Sequence, residues 1–231
     1  MNALIAARAV VDRVDALGWT ALMFAAQEGH EAVVVALHRV AGASIHHANN
    51  RGRTALHMAA QQGHLGVVRY LLRAAANPNV VSTEGDGVTP LTLASGDGHP
   101  AVVQAFIEGG ANVNYSRPDD GVTSLMMAAQ KGHIEVVRAL LAAGANVDHT
   151  DTEGVTALMQ AAQEGHIEVV RALLAANADP RIVAHDGFTA LDDAKRNKHA
   201  AIAALLEARL AELAATVAAS ASVLAACSGP V

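Results

Sequence analysis

Residues 154–174 read GVTALMQAAQEGHIEVVRALL, and this stretch is the clearest copy of a unit that recurs along most of the chain. The threonine of each copy follows the previous one after 34, 35, 34, 33 and 33 residues, and a histidine falls ten residues after every threonine. The pairs are Thr20 and His30, Thr54 and His64, Thr89 and His99, Thr123 and His133, Thr156 and His166, and Thr189 and His199. Two residue types that recur six times in one register indicate an internal repeat.

Each copy reads as a tight turn followed by two short antiparallel helices. A glycine two residues before each threonine, such as Gly154, can adopt the positive φ that a tight turn needs. The threonine is a good N-cap for the helix formers that follow it, and Gly165 can end this first helix in a left-handed conformation. The apolar residues of 167–174 then recur at helical spacing, which predicts the second helix.

These residues resemble those of the ankyrin repeat family. The family signature, Thr-Pro-Leu-His-x-Ala-Ala, is closest in residues 54–60, TALHMAA, and in residues 89–91, TPL. Elsewhere alanine or serine replaces the proline, and most copies lack the signature histidine. The resemblance spans roughly residues 18–206. It implies an all-α repeat solenoid, in which stacked helix-turn-helix units carry β-turn or hairpin fingers and form a concave face.

The register divides the chain into three parts. They are an N-terminal half-repeat over residues 1–17, a repeat domain over residues 18–206 with repeats that start near residues 18, 52, 87, 121, 154 and 187, and an alanine-rich helical tail over residues 207–231. Counted back from the following threonine, Leu4-Ile5 align with Leu140-Leu141, and Asp12 aligns with Asp148. A half-repeat lacks the helix that would cover its apolar stripe, so we expect either a longer array or a contact at this end.

The last repeat and the tail differ from the other units. Residues 191–198 read LDDAKRNK, with charges where earlier repeats have Met, Gln and Gly, as a C-terminal capping repeat requires. An apolar stripe continues through Leu206, Leu210, Leu213, Val217 and Leu224, and Gly229-Pro230 would end the helix. The tail either packs on the last repeat, stays partly disordered, or docks on another subunit. No membrane span is expected, because a span needs about 20 strongly apolar residues.

Composition narrows the classes of function. The 231 residues carry a formal net charge of −6 and contain no block of Lys and Arg, so the sequence does not support nucleic-acid binding. The single cysteine, Cys227, cannot form an internal disulfide, and the N-terminus lacks a secretory signal pattern. We therefore expect a reducing, intracellular location, the cytoplasm first, with the nucleus and organelle interiors left open.

The six histidines at equivalent positions do not predict a metal site. Equivalent positions of stacked helices lie about 8–10 Å apart, whereas the ligands of one ion lie about 2 Å from it. Each histidine is instead expected to bond backbone groups and to join neighbouring turns. The sequence also lacks a nucleophile elbow, a phosphate-binding glycine loop with a lysine, and a pair of opposed carboxylates. It therefore predicts no enzyme, no metal and no other cofactor.

Apolar residues of the first helices fall into two sets. Those four positions after the threonine are Phe24, Met58, Leu93 and Met127, and we expect them in the core because the resembling family has a buried leucine there. Those three positions after it include Met23, Met126 and Met159. Because the family has a partly exposed polar residue at that position, core packing and partner binding both stay open for these methionines.

A ladder of exposed positions is expected on the concave face, where the family binds its partners. The predicted partner-binding residues just before the threonines are Trp19, Arg53, Val88, Val122, Val155 and Phe188. Those seven and eight positions after the threonines are Gln27, Glu28, Gln61, Gln62, Asp97, Gln130, Lys131, Gln163 and Glu164. The first row is apolar for exposed turns and contains aromatic residues and an arginine, which are the residue types that anchor interfaces. The second row is polar and mostly uncharged.

The sequence thus predicts a non-catalytic module that binds a partner protein or peptide on its concave face. Two alternatives remain. The chain can be a structural subunit of a larger assembly, docked through its N-terminal half-repeat and its tail, or a targeting module of a larger multidomain protein. The fold alone does not identify the partner, since one fold serves many functions.

Overall fold

The computed structural model describes residues 11–83 and 87–227, with side chains up to residue 216 and at residue 218. Within these ranges the chain forms twelve helices. They are α1 Ala21–Gln27, α2 Glu31–Arg39, α3 Ala55–Gln61, α4 Leu65–Arg73, α5 Pro90–Gly96, α6 Pro100–Glu108, α7 Ser124–Lys131, α8 Ile134–Ala142, α9 Ala157–Glu164, α10 Ile167–Ala175, α11 Ala190–Arg196 and α12 Ala200–Cys227. Each repeat contributes one odd-numbered helix and one even-numbered helix.

The helices stack in two layers. Each odd-numbered helix contacts the odd-numbered helices of the neighbouring repeats, and the even-numbered helices contact one another in the same way. We call these the inner layer and the outer layer. Between the described residues, strand pairing is limited to two isolated bridges, Ser116–Thr123 and Thr150–Thr156. The prediction of an all-α repeat solenoid is confirmed.

The repeated threonine starts the inner helix through its side chain. Oγ1 atoms accept the N–H of the third residue onward at 3.2–3.4 Å in the repeats of Thr20, Thr89, Thr123, Thr156 and Thr189. In the second repeat the Thr54 N–H donates to Nδ1 of His57 at 3.1 Å. Such caps satisfy backbone donors that a helix leaves unpaired and contribute about 1 kcal/mol each.

The repeated histidine joins each repeat to the one before it. Nε2 of His64 donates to the backbone oxygen of Gln27, at 2.7 Å. The equivalent bonds are His99 to Gln61 at 2.9 Å, His133 to Gly96 at 3.1 Å, His166 to Gln130 at 2.9 Å, and His199 to Gln163 at 3.0 Å. Each carbonyl accepts, so each imidazole must carry its proton on Nε2 when it is neutral. The structural role expected for these histidines is confirmed.

The glycine that ends the inner helix is required by this contact as well as by its backbone angle. Gly29 has a φ of 71°, and a Cβ built on it would lie 2.5 Å from Nδ1 of His64 in the next repeat. Gly132 has a φ of 75°, and its Cβ would lie 2.6 Å from Nδ1 of His166. A side chain at either position would push the next repeat away.

The buried face of the inner helices corrects one part of the core prediction. The buried residues of α1 are Leu22, Met23, Ala25 and Ala26. At 100° per residue these four surround the direction opposite to residue 24. Phe24 therefore points away from the core and is 48% exposed, so its assignment to the core is wrong. Met58 and Leu93, at the same position of the next repeats, are buried as predicted, and Met127 is half-buried.

The same helical phase settles the three methionines left open by the sequence. Met23, Met126 and Met159 are all buried. They lie on the side of the inner helices that faces the neighbouring helices, where they fill the core. A binding role for these side chains is not supported.

At the N-terminal end, residues 1–10, which include Leu4-Ile5, lie outside the described residues. Asp12 is described, and its Oδ1 accepts the backbone N–H of Ser44 at 2.9 Å. Asp148 makes the equivalent contact with the N–H of Asp179, also at 2.9 Å. The two aspartates that the sequence aligns therefore tie successive repeats together in the same way.

At the C-terminal end, α12 contains 28 residues, whereas the other outer helices contain 9 each. At about 1.5 Å per residue it is about 42 Å long. Leu206 is buried and Leu210 and Leu213 are half-buried, while the side chains of Val217 and Leu224 and the Gly229-Pro230 pair lie outside the described residues. No described helix has the combination of length and apolar character that crossing a membrane requires.

Candidate functional site

The turn before each inner helix, which we call a finger, is built by one side-chain acceptor. Oδ1 of Asp15 accepts the backbone N–H groups of Leu17 and Trp19, both at 2.9 Å. Oδ1 of Asn49 does the same for Arg51 and Arg53, both at 3.0 Å. Such turns fix the backbone of the two residues that follow the acceptor. The side chains at these positions are therefore held in place without taking part in the turn.

Successive fingers are joined by backbone hydrogen bonds. The N–H of Asn50 donates to the oxygen of Leu17 at 3.1 Å, and the N–H of Thr83 donates to the oxygen of Arg51 at 3.0 Å. Further along, the N–H of Thr152 donates to the oxygen of Asp120 at 2.9 Å. Each finger thus sits in fixed register with its neighbour, and the side chains of several repeats form one surface.

Between the first two fingers and the inner layer lies an open groove of about 530 Å³. Its lining residues are Leu17, Trp19, Gln27, Asn49, Asn50, Arg51, Arg53, Met58, Gln61 and Gln62. We refer to this surface as the groove. Five residues predicted from sequence come together there: Trp19, Gln27, Arg53, Gln61 and Gln62. Glu28, also predicted, is exposed next to the groove, and Gln27 Nε2 lies 3.5 Å from its Oε1.

An aromatic pair stands at one side of the groove. The rings of Trp19 and Phe24 lie 5.0 Å apart between centroids, at 35° to one another. We call this pair the platform. Sequence reasoning missed Phe24 because it was assigned to the core. The signal that identifies it is its phase on α1, opposite to the buried residues.

On the other side of the groove, Arg53 lies along α3. Its Nη1 donates to Oε1 of Gln61 at 3.3 Å. A guanidinium has five N–H donors in a planar fork, so one such bond orients the group without using all its donors. Arg51, on the tip of the same finger, is exposed.

Val88 does not take part in the exposed ladder. Its side chain is only 3% exposed, so the prediction that it stands on an exposed turn is wrong. Its N–H donates to Oγ of Ser82 at 2.9 Å, and its oxygen lies 3.3 Å from Nε2 of the buried His57. The hydroxyl of Tyr115, which belongs to the following connection, donates to the oxygen of the adjacent Gly87 at 2.8 Å. These contacts hold the third finger against the solenoid.

The later repeats carry the rest of the predicted ladder. Val122 and Val155 are half-buried and pack against the core, so only part of each side chain is offered to a partner. The polar positions Asp97, Gln130, Lys131, Gln163 and Glu164 are all exposed. The structure therefore separates an aromatic and cationic region at the first two repeats from a mostly polar region at the fourth and fifth.

The sixth repeat closes the ladder with charge. Phe188 is 37% exposed, and the guanidinium carbon of Arg196 lies 4.1 Å from the centroid of its ring. The hydrogen bonds from the Oγ1 and N–H of Thr189 hold the pKa of Asp192 below its usual value, whereas burial raises the pKa of Asp193. Both carboxyl groups belong to the first turn of α11, where Asp192 caps the helix.

The geometry offers surface recognition and no centre for chemistry. Over the described ranges, 11–83 and 87–227, no three His, Cys, Asp or Glu side chains are grouped so that they could hold a metal ion. What the groove combines is an exposed aromatic pair, amide side chains and two guanidinium groups. These are groups that bind another chain.

Comparison with known proteins agrees with the geometry. The model of the family described as ankyrin repeats matches the chain in three copies, over residues 1–82, 76–151 and 141–216. No significant match was found among the curated proteins.

Proposed function

Because the chain belongs to the ankyrin repeat family, whose repeats are generally protein–protein interaction modules, we propose that it binds a partner protein or peptide in the groove. Proteins of this family are typically non-catalytic. The chain then serves as a scaffold or adaptor that holds its partner against the fingers and the inner helices. The exposed polar residues of repeats 3 to 5 extend the contact surface beyond the groove.

The observation that carries this proposal is the exposed platform of Trp19 and Phe24 beside Arg53. Tryptophan and arginine are the side chains that most often dominate binding energy at interfaces. A partner that covers the two rings removes apolar area from water, worth about 25 cal/mol for each Å². The polar residues around the platform then act as the rim of the interface.

A second candidate rests on α12. This helix is about three times as long as the other outer helices, and Leu210 and Leu213 on it are only half-buried. A fixed subunit of a larger assembly would use such a helix as its docking element. The groove would then be incidental.

Affinity purification from the native source distinguishes the two candidates. The bait proteins are the intact chain, a Trp19→Ala/Arg53→Ala double variant, and a chain that ends before Ala208. The matched control is Val122→Ala/Val155→Ala, which changes the same finger positions in repeats 4 and 5. Val88 is left unchanged, because it is buried and its substitution would disturb the fold.

The proposal expects a partner that binds the intact chain, the control and the truncated chain, and is lost with Trp19→Ala/Arg53→Ala. Circular dichroism of each bait verifies that the variants are folded. A partner that is kept by the double variant and lost on truncation would refute the groove as the working surface. It would support the structural subunit instead.

A further inference from the structure

The groove is chemically divided along its length. The platform and Leu17 come from the first repeat, while Arg51 and Arg53 come from the second finger. Equivalent positions of neighbouring repeats lie about 8–10 Å apart. An extended peptide advances about 3.3 Å per residue. A single extended segment therefore reaches both regions with side chains two to four positions apart.

The charge of the groove is opposite to that of the whole chain. The described residues that line it include two arginines and no carboxylate, although the formal net charge of the protein is −6. Arginine binds carboxylates through paired N–H donors. Cationic groups between low-dielectric walls also attract anions more strongly than they do on an open surface.

The equivalent positions of the later repeats carry the reverse charge. Arg51 lies three residues before its threonine, and the residues at that position in repeats 4 and 5 are Asp120 and Glu153. Asp120 pairs with Arg117 at 3.0 Å, and Glu153 is exposed. An acidic segment is therefore favoured at the second finger and disfavoured at the fourth and fifth.

Amide side chains supply contacts for a peptide backbone. Gln27, Gln61 and Gln62 line the groove at the end of the inner helices. Each amide carries both donors and an acceptor, so it can pair with the N–H or the C=O of an extended chain. These contacts depend little on the sequence of the peptide, and they leave selectivity to the platform and the arginines.

We infer that the groove takes an extended, acidic peptide segment in which a large apolar side chain lies two to four residues from an Asp or Glu. The apolar side chain stacks on the platform of Trp19 and Phe24. The carboxylate binds at Arg51 and Arg53. This inference rests on the proposed function and specifies the chemistry of the partner.

Trp19 makes a direct test available, because it is the only tryptophan in the chain. The full chain is used to select binders from a displayed library of random 12-residue peptides, and the enriched peptides are synthesised. Each is titrated into the protein while the Trp19 emission is followed. We expect enriched peptides that pair an aromatic or large aliphatic residue with Asp or Glu at the stated spacing, and a shift of the emission to shorter wavelength on binding.

The charge contribution is tested with Arg51→Glu, which installs the acidic charge found in repeats 4 and 5. Affinity for an enriched acidic peptide should fall about tenfold or more. The matched control is Arg69→Glu, an equal change of charge at an exposed position of the outer helix α4. Affinity should also fall as salt is raised. A peptide with Lys in place of its Asp or Glu should prefer the Arg51→Glu variant.

Three outcomes would overturn the inference. Enriched peptides can lack acidic residues, the Arg51→Glu and Arg69→Glu variants can bind an acidic peptide equally well, or no peptide can be enriched at all. If peptides without acidic residues still shift the Trp19 emission, the groove binds and only the chemistry inferred here is wrong. If partners recovered from the native source also ignore Trp19→Ala/Arg53→Ala, the proposed function fails as well.

Discussion

Repeats 1 and 2 have the same internal contacts as repeats 4 and 5, but they offer a partner different side chains. His64 bonds the backbone of the repeat before it at 2.7 Å, and His166 makes the same bond at 2.9 Å. Asn49 and Asp151 each accept two backbone N–H groups to form their fingers. The backbone of the two regions is therefore set by the same small group of bonds.

The difference lies at positions that these bonds leave unconstrained. Just before the threonine, Trp19 and Arg53 stand in the first region, where the second region has Val122 and Val155. The backbone N–H at this position is used by the turn, but the side chain is not. A repeat can thus change what it binds without changing how it stacks. This explains how a chain of near-identical units acquires one distinctive surface.

The largest effect is expected where the shared contacts are broken. Gly132→Ala combines a left-handed backbone with a Cβ 2.6 Å from Nδ1 of His166, so it should lower the free energy of unfolding by about 2–5 kcal/mol. Gly144 also has a positive φ of 82°, but its Cβ would meet nothing within 4 Å. Gly144→Ala should cost only about 1–2 kcal/mol. Urea unfolding measures both values.

The same experiment at Gly29 tests whether the two regions share this contact. Gly29→Ala, against His64, should destabilise the chain by an amount similar to Gly132→Ala. Equal costs for Gly132→Ala and Gly144→Ala would show that the imidazole contact contributes nothing beyond the backbone angle.

The second effect concerns binding, and here the regions should differ. Trp19→Ala should weaken a partner recovered in the purification by about 2 kcal/mol or more, which is about 30-fold, as expected for a buried aromatic anchor. Val155→Ala, at the equivalent position, should change the affinity by less than about 1 kcal/mol because its side chain is already half-buried against the core. Isothermal titration calorimetry measures both. Similar losses for the two variants would mean that the partner does not distinguish the regions.

A smaller and equal effect is expected at the helix caps. Thr20→Ala and Thr156→Ala each remove an Oγ1 that accepts a backbone N–H at 3.3 Å. Each should lower the free energy of unfolding by about 1 kcal/mol. Thermal unfolding followed by circular dichroism compares the two variants. A clear difference between them would show that the first region is anchored less firmly than the contacts indicate.

The smallest effect extends the comparison to repeat 6, where the cap is ionised. Bonds from Thr189 lower the pKa of Asp192 in the folded chain. An Asp with a lowered folded pKa stabilises the fold above its unfolded pKa, about 3.9, and this stabilisation is lost as the pH falls through the folded value. Asp192→Asn should therefore be slightly less stable than the parent at pH 7.

The gap between Asp192→Asn and the parent should close as the pH is lowered below about 4. Urea unfolding at a series of pH values measures it. A gap that does not depend on pH would show that the charge of Asp192 plays no part in the cap.

The periodic residues were sufficient to predict the fold. Threonine, glycine and histidine act through bonds whose partners sit at fixed distances in sequence, such as His64 and Gln27, so their spacing carries the architecture. The predicted division at residues 17 and 206 has not been tested. Five of the predicted ladder residues meet in the groove, because they are defined by the same register.

Two side chains could not be placed by register alone. Phe24 depends on the phase of a helix of only two turns, in which positions 23 and 24 differ by a single step of 100°. Val88 depends on contacts from His57 and Tyr115, which belong to neighbouring units and have no equivalent in most repeats. Side chains fixed by exceptions to the repeat therefore escape a prediction based on the repeat.

The most direct test of the central claim is site-specific photo-crosslinking with a partner recovered from the native source. A benzophenone amino acid is placed at position 62 in the groove, at position 163 in repeat 5, at position 73 on the outer layer, or at position 211 on α12. We predict strong crosslinking at position 62, less at position 163, and background levels at positions 73 and 211. Crosslinks at position 211 or 73 with none at position 62 would contradict binding in the groove.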